Sequence, residues 1–208
     1  MVVEKKISAG IVCVILLMVC MMSSGCVDLT CAYVNQHVIT DGWNENTALR
    51  NTGTQFVGLE KWCSSTYEIN GKYPASLTVT TLKTLVLSDE EDIWSTTKDN
   101  IEQTFHNRIQ LFENITGERT LHHAHKTIYI IYDGIDVEKN ESVKVIGEVW
   151  NCAISGTSII CIGFAYVTNK DISEDENTEY WQKIVGDRQG SITGYDGEEG
   201  LIDNVICH

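Results

Sequence analysis

Apolar and polar positions divide the chain into contrasting stretches. An uncharged apolar run fills positions 7–22. A polar, Asn- and Thr-rich stretch follows to about position 55 and shows no periodicity. Asn44-Glu45-Asn46-Thr47 and Asn51-Thr52-Gly53-Thr54 there read as loop. From Phe56 to Ile69 strand formers are scattered (Val57, Leu59, Trp62, Tyr67, Ile69), and Asn70-Gly71 signals a turn. After Pro74, the run Leu77 to Leu87 is rich in Val, Thr and Leu. Its partial alternation predicts a strand.

The period then changes. Ser88-Asp89-Glu90-Glu91 has the form of a capping box, in which Ser88 caps and Glu91 reaches back to close the first turn. Acidic residues there also complement the positive end of the helix dipole. Trp94, Ile101, Phe105, Ile109 and Phe112 follow as one helical stripe. A long helix over about 89–113 is the expectation, ending near Asn114 to Gly117.

Beyond Thr120 the chain returns to strand chemistry. Thr127 to Tyr132 consists almost wholly of β-branched and aromatic residues, and Val143 to Ile154 and Ile159 to Val167 are similar. Ser155-Gly156-Thr157-Ser158 joins the last two. A tight turn at Gly156-Thr157 would place Cys152 directly across from Cys161 in a non-hydrogen-bonded pair, with Cα atoms about 4.5 Å apart. That separation suits a disulfide, so a Cys152–Cys161 cross-strand bond is expected. Two buried thiols packed side by side are the alternative. Glu179 to Val185 predicts a short helix, about 178–186, with Tyr180, Trp181, Ile184 and Val185 on one face and Gly186 as its stop. Leu201 to Cys207 reads as a last strand or an extended cover.

Strands, a long helix, antiparallel strands, a short helix and a tail together predict an α+β fold. Both helices are expected on one face of an antiparallel β-sheet. The division is 1–25, 26–55 and 56–208: a signal peptide, an irregular segment and a single α+β domain.

The first segment supplies an address. Lys5 and Lys6 precede the apolar run, and Ser23-Ser24-Gly25 leads to Cys26. A positive start, an apolar middle and a small-residue exit describe a secretory signal. The run is short against the roughly 20 residues of a spanning helix. Ser-Gly-Cys resembles a lipobox, which implies lipid on the Cys26 sulfur and a surface-exposed chain held to the cell membrane. Ordinary cleavage and an uncleaved signal anchor are the alternatives.

Net charge is −14, with 29 acidic against 15 basic residues. Phosphate backbones recruit Lys and Arg, so nucleic acid is excluded as a partner. The membrane, through the lipid, and a protein at the cell surface remain. Once the leader and Cys26 are set aside, Cys31, Cys63, Cys152, Cys161 and Cys207 remain. Export permits disulfides, and an odd count leaves at least one thiol over. Cys63 with Cys207 is the second expected pair.

Ile115-Thr116-Gly117-Glu118-Arg119-Thr120, Gly147-Glu148-Val149-Trp150-Asn151-Cys152 and Cys161-Ile162-Gly163-Phe164 are similar to stretches of predicted lipoproteins of methanogenic archaea. The order of elements over about 66–188 resembles the PsbP-type fold. The first resemblance implies an archaeal surface, and neither implies a catalytic residue.

Candidate chemistry is sparse. His122-His123-Ala124-His125 is the only histidine cluster. On a strand His123 and His125 would share a face, as ligands for zinc or copper do, and Glu118 or His106 would have to complete the set. Solvated histidines in a loop are the plainer reading, and no cofactor is called for. The acidic runs around Asp171–Glu176 and Asp196–Glu199 lack the pattern of a calcium loop and read as solvated. Asn114-Ile115-Thr116 and Asn140-Glu141-Ser142 are glycosylation sequons in expected loops. No nucleophile elbow, phosphate loop or zincin motif occurs. The leading expectation is therefore a lipid-anchored extracytoplasmic accessory or binding domain. Its rival is an exported enzyme with a site around Glu118, His123, His125 and Glu148.

Overall fold

The computed structural model describes residues 29–55, 60–71, 74–84, 90–167, 174–186, 192 and 199–208. The leader 1–25, Cys26, Ser88, Asp171, Asp196 and Glu198 lie outside the described residues. No helix among the described residues is long and apolar enough to cross a membrane.

Among the described residues the architecture is α+β, a mostly antiparallel sheet with two α-helices. Strands β1 (Tyr33–Val34), β2 (Asn44–Glu45), β3 (Asn51–Gln55), β4 (Glu60–Ile69) and β5 (Ala75–Thr84) come first, followed by helix α1 (Glu90–Phe105). Then come β6 (Ile109–Thr120), β7 (Lys126–Asp136), β8 (Glu141–Cys152), β9 (Thr157–Tyr166), helix α2 (Glu174–Val185) and β10 (Val205–Ile206). The main sheet runs β2-β4-β5-β9-β8-β7-β6, with β3 also on β4, while β1 and β10 form a separate two-stranded sheet.

The two helices lie on opposite faces of the main sheet, which corrects the expectation of one shared face. Gly147 pairs with Ile162 and Ile146 with Gly163, and neighbours along a strand point to opposite sides. A Cβ on Gly147 would meet Ile101 and Thr97 of α1, whereas one on Gly163 would meet Ile184 of α2. Each glycine thus marks where one helix comes close to the sheet. Strands β8 and β9 are buried on both sides, so they carry apolar residues at both parities and cannot show from sequence which helix takes which face.

Helix α1 is also shorter than expected. It stops at Phe105, a turn at 106–108 follows, and Ile109 and Phe112 belong to β6. The stripe that predicted eight further helical residues is taken by the ladder from β6 to β7, interrupted by a bulge between Leu111 and Asn114. Ile109 is buried against Val143 and Tyr166, while Phe112 is 55% exposed. Asn114 therefore sits on a strand, not in a loop, though it is exposed. Asn140 lies in the expected turn, with φ of 54°. Helix α2 is longer than expected at its start, and its Trp181, Ile184 and Val185 are buried.

The stretch expected to be irregular is part of the fold. Ala32, Val34, Val38 and Trp43 are buried in the core that also holds Leu77, Ile146, Trp150 and Ile184. Buried polar groups hold it there. The Ala32 N–H donates to Thr81 Oγ1 at 2.7 Å, and the Val34 N–H to the Tyr67 hydroxyl at 2.9 Å. Cys31 is disulfide-bonded to Cys63 on β4. The expected Cys63–Cys207 pairing is therefore wrong.

Residues 199–208 form a strap over the α2 face. Leu201, Ile202 and Val205 are buried, and the strap pairs with β1 through Tyr33–Ile206 and Val34–Val205. It meets the end of α2 backbone to backbone: a Cβ on Gly200 would fall 2.1 Å from the Gly186 nitrogen, so only glycine fits. Asp203 Oδ1 accepts the His122 N–H at 2.8 Å, which fastens the strap to the turn between β6 and β7.

Candidate metal centre

The hairpin joining β8 to β9 decides where the cysteines stand. Its turn covers residues 153–156, Gly156 adopts φ of 62°, and its N–H donates to the Cys152 carbonyl at 2.9 Å. Cys152 pairs with Thr157, and Cys161 pairs with Glu148. The strands are thus slipped by four positions from the register expected, and Cys152 and Cys161 are both unbonded. Four is an even number, so the slip leaves every side chain on its expected face and alternation along the strand cannot reveal it. The cross-strand disulfide is corrected accordingly.

The slip frees Cys152 for other company. It ends β8 on the face covered by the strap. There the strap brings Cys207 and His208, and the turn before β7 brings His125. The Cys207 Sγ lies 3.4 Å from His125 Nε2 and 3.6 Å from His208 Nδ1. The Cys152 Sγ lies 3.6 Å from the same His208 nitrogen. All four ligand atoms fall within 4.8 Å of one another. A tetrahedral zinc ion, with Zn–N about 2.0–2.1 Å and Zn–S about 2.3 Å, sets N···S edges of about 3.5–3.6 Å. The three measured edges match that figure, and two thiolates with two imidazoles form a donor set suited to zinc.

The surroundings favour the ligand protonation state at His125 and Cys152 and oppose it at Cys207. Burial pushes the His125 imidazole toward its neutral form, and His208 and His123 push the same way. Neutral imidazole is the ligand form. Burial disfavours a thiolate at Cys152, but hydrogen bonding from Cys207, Ser155 and His208 outweighs it and brings the thiol down to about 7. Burial and the neighbouring Cys152 push Cys207 up to about 12. A bound cation would displace the proton that burial favours on Cys207. Trp150 lines the site. Its ring stacks with His125 at 6.2 Å between centroids. Its buried indole N–H has no hydrogen bond of ordinary geometry, yet it is near enough to Cys207 to favour that thiolate. A metal-bound thiolate would give this N–H its acceptor, as outer partners of metal ligands do. Cys161 stands apart. It is fully buried, and burial raises its thiol well above the usual range.

The residues nominated from sequence divide. His125 belongs to the centre. His123 is exposed and packs edge-on against His122 at 4.8 Å between centroids. Neither Glu118 nor His106 is in the group of ligand atoms. Glu148 is fully buried in another role: its carboxylate accepts Arg119 Nε at 2.8 Å, Arg119 Nη2 at 2.5 Å and the Thr127 hydroxyl at 2.5 Å. Arg119 also donates to the Val185 and Gly186 carbonyls. A cation thus caps the last turn of α2, whose carbonyls have no helical partner. Glu118, on the neighbouring position of β6, is exposed. The four residues of the enzyme reading do not form one group of ligand atoms. Three surface cavities of 330, 380 and 470 Å³ lie elsewhere, and none of these is lined by them.

Sequence reasoning missed Cys152, which it assigned to a disulfide, and Cys207 and His208 as ligands. For the last two, the only available signal was their adjacency, a thiol beside an imidazole, at the end of an apolar stretch. No family model, curated protein or solved structure matches the chain.

Proposed function

We propose that this protein is an extracytoplasmic, lipid-tethered accessory domain whose fold is locked by one Cys2His2 metal ion, zinc being the best fit. The observation that carries the metal is the tetrad His125, Cys152, Cys207 and His208, with N···S edges of 3.4–3.6 Å. Four protein ligands fill a tetrahedral ion and leave no position for substrate, which marks a structural centre. The location rests on the Lys5-Lys6 start, the apolar run 7–22 and Ser24-Gly25-Cys26. Acidity suits a domain kept soluble at a surface, and partners there are proteins or the membrane through its lipid.

The centre has a mechanical role. It joins the turn before β7, the end of β8 and the strap, just as Cys31–Cys63 joins the chain before β1 to β4. The two-stranded sheet β1/β10 is thereby fastened from both sides. Titrating the reduced chain with Co²⁺ tests the proposal. One equivalent should give the visible bands and thiolate charge-transfer of a tetrahedral S2N2 site, and Zn²⁺ should displace it. A chain that takes up neither ion would overturn the metal. Intact mass of native material tests the anchor: a first residue other than Cys26, without lipid, would remove it.

A further inference from the structure

We propose that the centre is a redox-gated clamp, in which a peroxide oxidises Cys152 and Cys207 to a disulfide and expels the metal ion. The inference rests on the metal reading and adds its regulation.

The geometry supplies both states. The two sulfurs belong to one group of ligand atoms within 4.8 Å, and a disulfide needs them at about 2.05 Å. Cys152 is held at the end of a long paired strand. Cys207 follows β10, which is held by two register pairs. The strap can therefore follow its sulfur while β8 stays in place. His208 is exposed, so one side of the centre opens to solvent, whereas Trp150 closes the buried side. The Cys31–Cys63 bond fits the oxidising surroundings that export would supply. In such surroundings an unmetallated thiol pair within this reach would oxidise, and a bound ion would hold it reduced.

The step balances. One thiolate attacks a peroxide oxygen, the O–O bond breaks, and hydroxide leaves behind a sulfenic acid. The other thiolate attacks that sulfur, the S–O bond breaks, a second hydroxide leaves, and the S–S bond forms. Both metal–sulfur bonds are lost. The sulfurs give up two electrons, the peroxide takes them, and its oxygens leave as two hydroxides, which take two protons from solvent to become water. Two imidazoles alone hold the ion weakly, and it departs. Cys161 takes no part, because it lies fully buried opposite Glu148.

The test uses the reduced, zinc-loaded chain with Cys31–Cys63 intact. Hydrogen peroxide is added, released zinc is followed with a chromophoric chelator, and peptides are mapped by mass. One zinc should leave for each Cys152–Cys207 disulfide formed, Cys161 should remain alkylatable, and a thiol reductant should restore zinc binding. Cys161→Ser should behave as the parent chain does. Zinc that stays bound through oxidation overturns the switch and leaves the metal centre standing. So does zinc that leaves with Cys152 and Cys207 as sulfinic acids, or joined to Cys161. A reduced chain that never binds zinc overturns both.

Discussion

His125 and Cys207, 82 positions apart, bring an imidazole nitrogen and a sulfur to 3.4 Å. His125 is placed by a turn in which the Leu121 N–H donates to its carbonyl, and Cys207 by a strand that pairs with β1. Neither element is adjacent to the other in sequence, and both are closed over Trp150.

That contact makes Trp150 a sensitive probe of the centre. Trp150→Phe keeps an aromatic ring beside His125 and removes the N–H. Zinc affinity should fall by about 10–100-fold while the fold persists, as for other outer partners of metal ligands. His125→Ala should weaken binding more than Trp150→Phe. Competition against a chelator of known affinity, with circular dichroism alongside, measures both. Unchanged affinity in Trp150→Phe would remove the indole from the site.

The buried pair Arg119–Glu148 should be indispensable to stability. Glu148→Ala leaves a guanidinium inside the protein with only helix carbonyls to face. The expected loss is about 3–5 kcal/mol, in the range for breaking one half of a buried ion pair. Urea unfolding of the metal-loaded chain reads it. A loss below about 1 kcal/mol would mean that water reaches the site.

Stability should also respond to acid through Asp136. Burial opposes its charge, but donation from Tyr166, the Lys139 N–H and Arg108 outweighs that and lowers its pKa. A carboxylate lowered on folding contributes stability above its unfolded pKa, near 3.9, and loses it as pH falls through the lower folded value. Tyr166 behaves conversely. Burial and Asp136 raise it to about 12, so its contribution holds below about pH 10 and fades as pH rises through 12. Asp136→Asn should be less stable at pH 7 and lose less on acidification to pH 3. Denaturation midpoints across that range would show parallel curves if Asp136 were unimportant.

Removing the Cys31–Cys63 bond should loosen the strap at its other end. The bond closes a loop with a sequence separation of 32, for which chain entropy predicts a contribution of about 3–4 kcal/mol. Cys31→Ser with Cys63→Ser should lose that much in chemical denaturation and retain one zinc. Loss of zinc as well would couple the two fastenings more tightly than their separate positions imply.

Local chemistry alone determined much of this protein. Thr127–Tyr132, Val143–Cys152 and Ile159–Tyr166 declare strands because β-branched and aromatic residues suit a pleated surface, while Ile154, expected on a strand, lies in the turn. Trp181, Ile184 and Val185 declare the buried side of a helix, and the start of α1 follows its acidic first turn. These are short-range properties, legible one segment at a time.

Tertiary structure decided the rest, because each remaining choice depended on a distant partner. Ile109 and Phe112 suit a helical stripe as well as a strand, and only β7 made them strand. A slip of four positions keeps every face, so only the full ladders from β9 to β8 and β5 placed Cys152 away from Cys161. The side of the sheet that each helix covers is invisible in strands apolar on both faces. Cys31 found Cys63 because the segment around β1 is held against β4 and β5, and His125, Cys152, Cys207 and His208 met because a strap of residues 199–208 lies over that face of the sheet. Spacing along a chain carries no record of such a meeting.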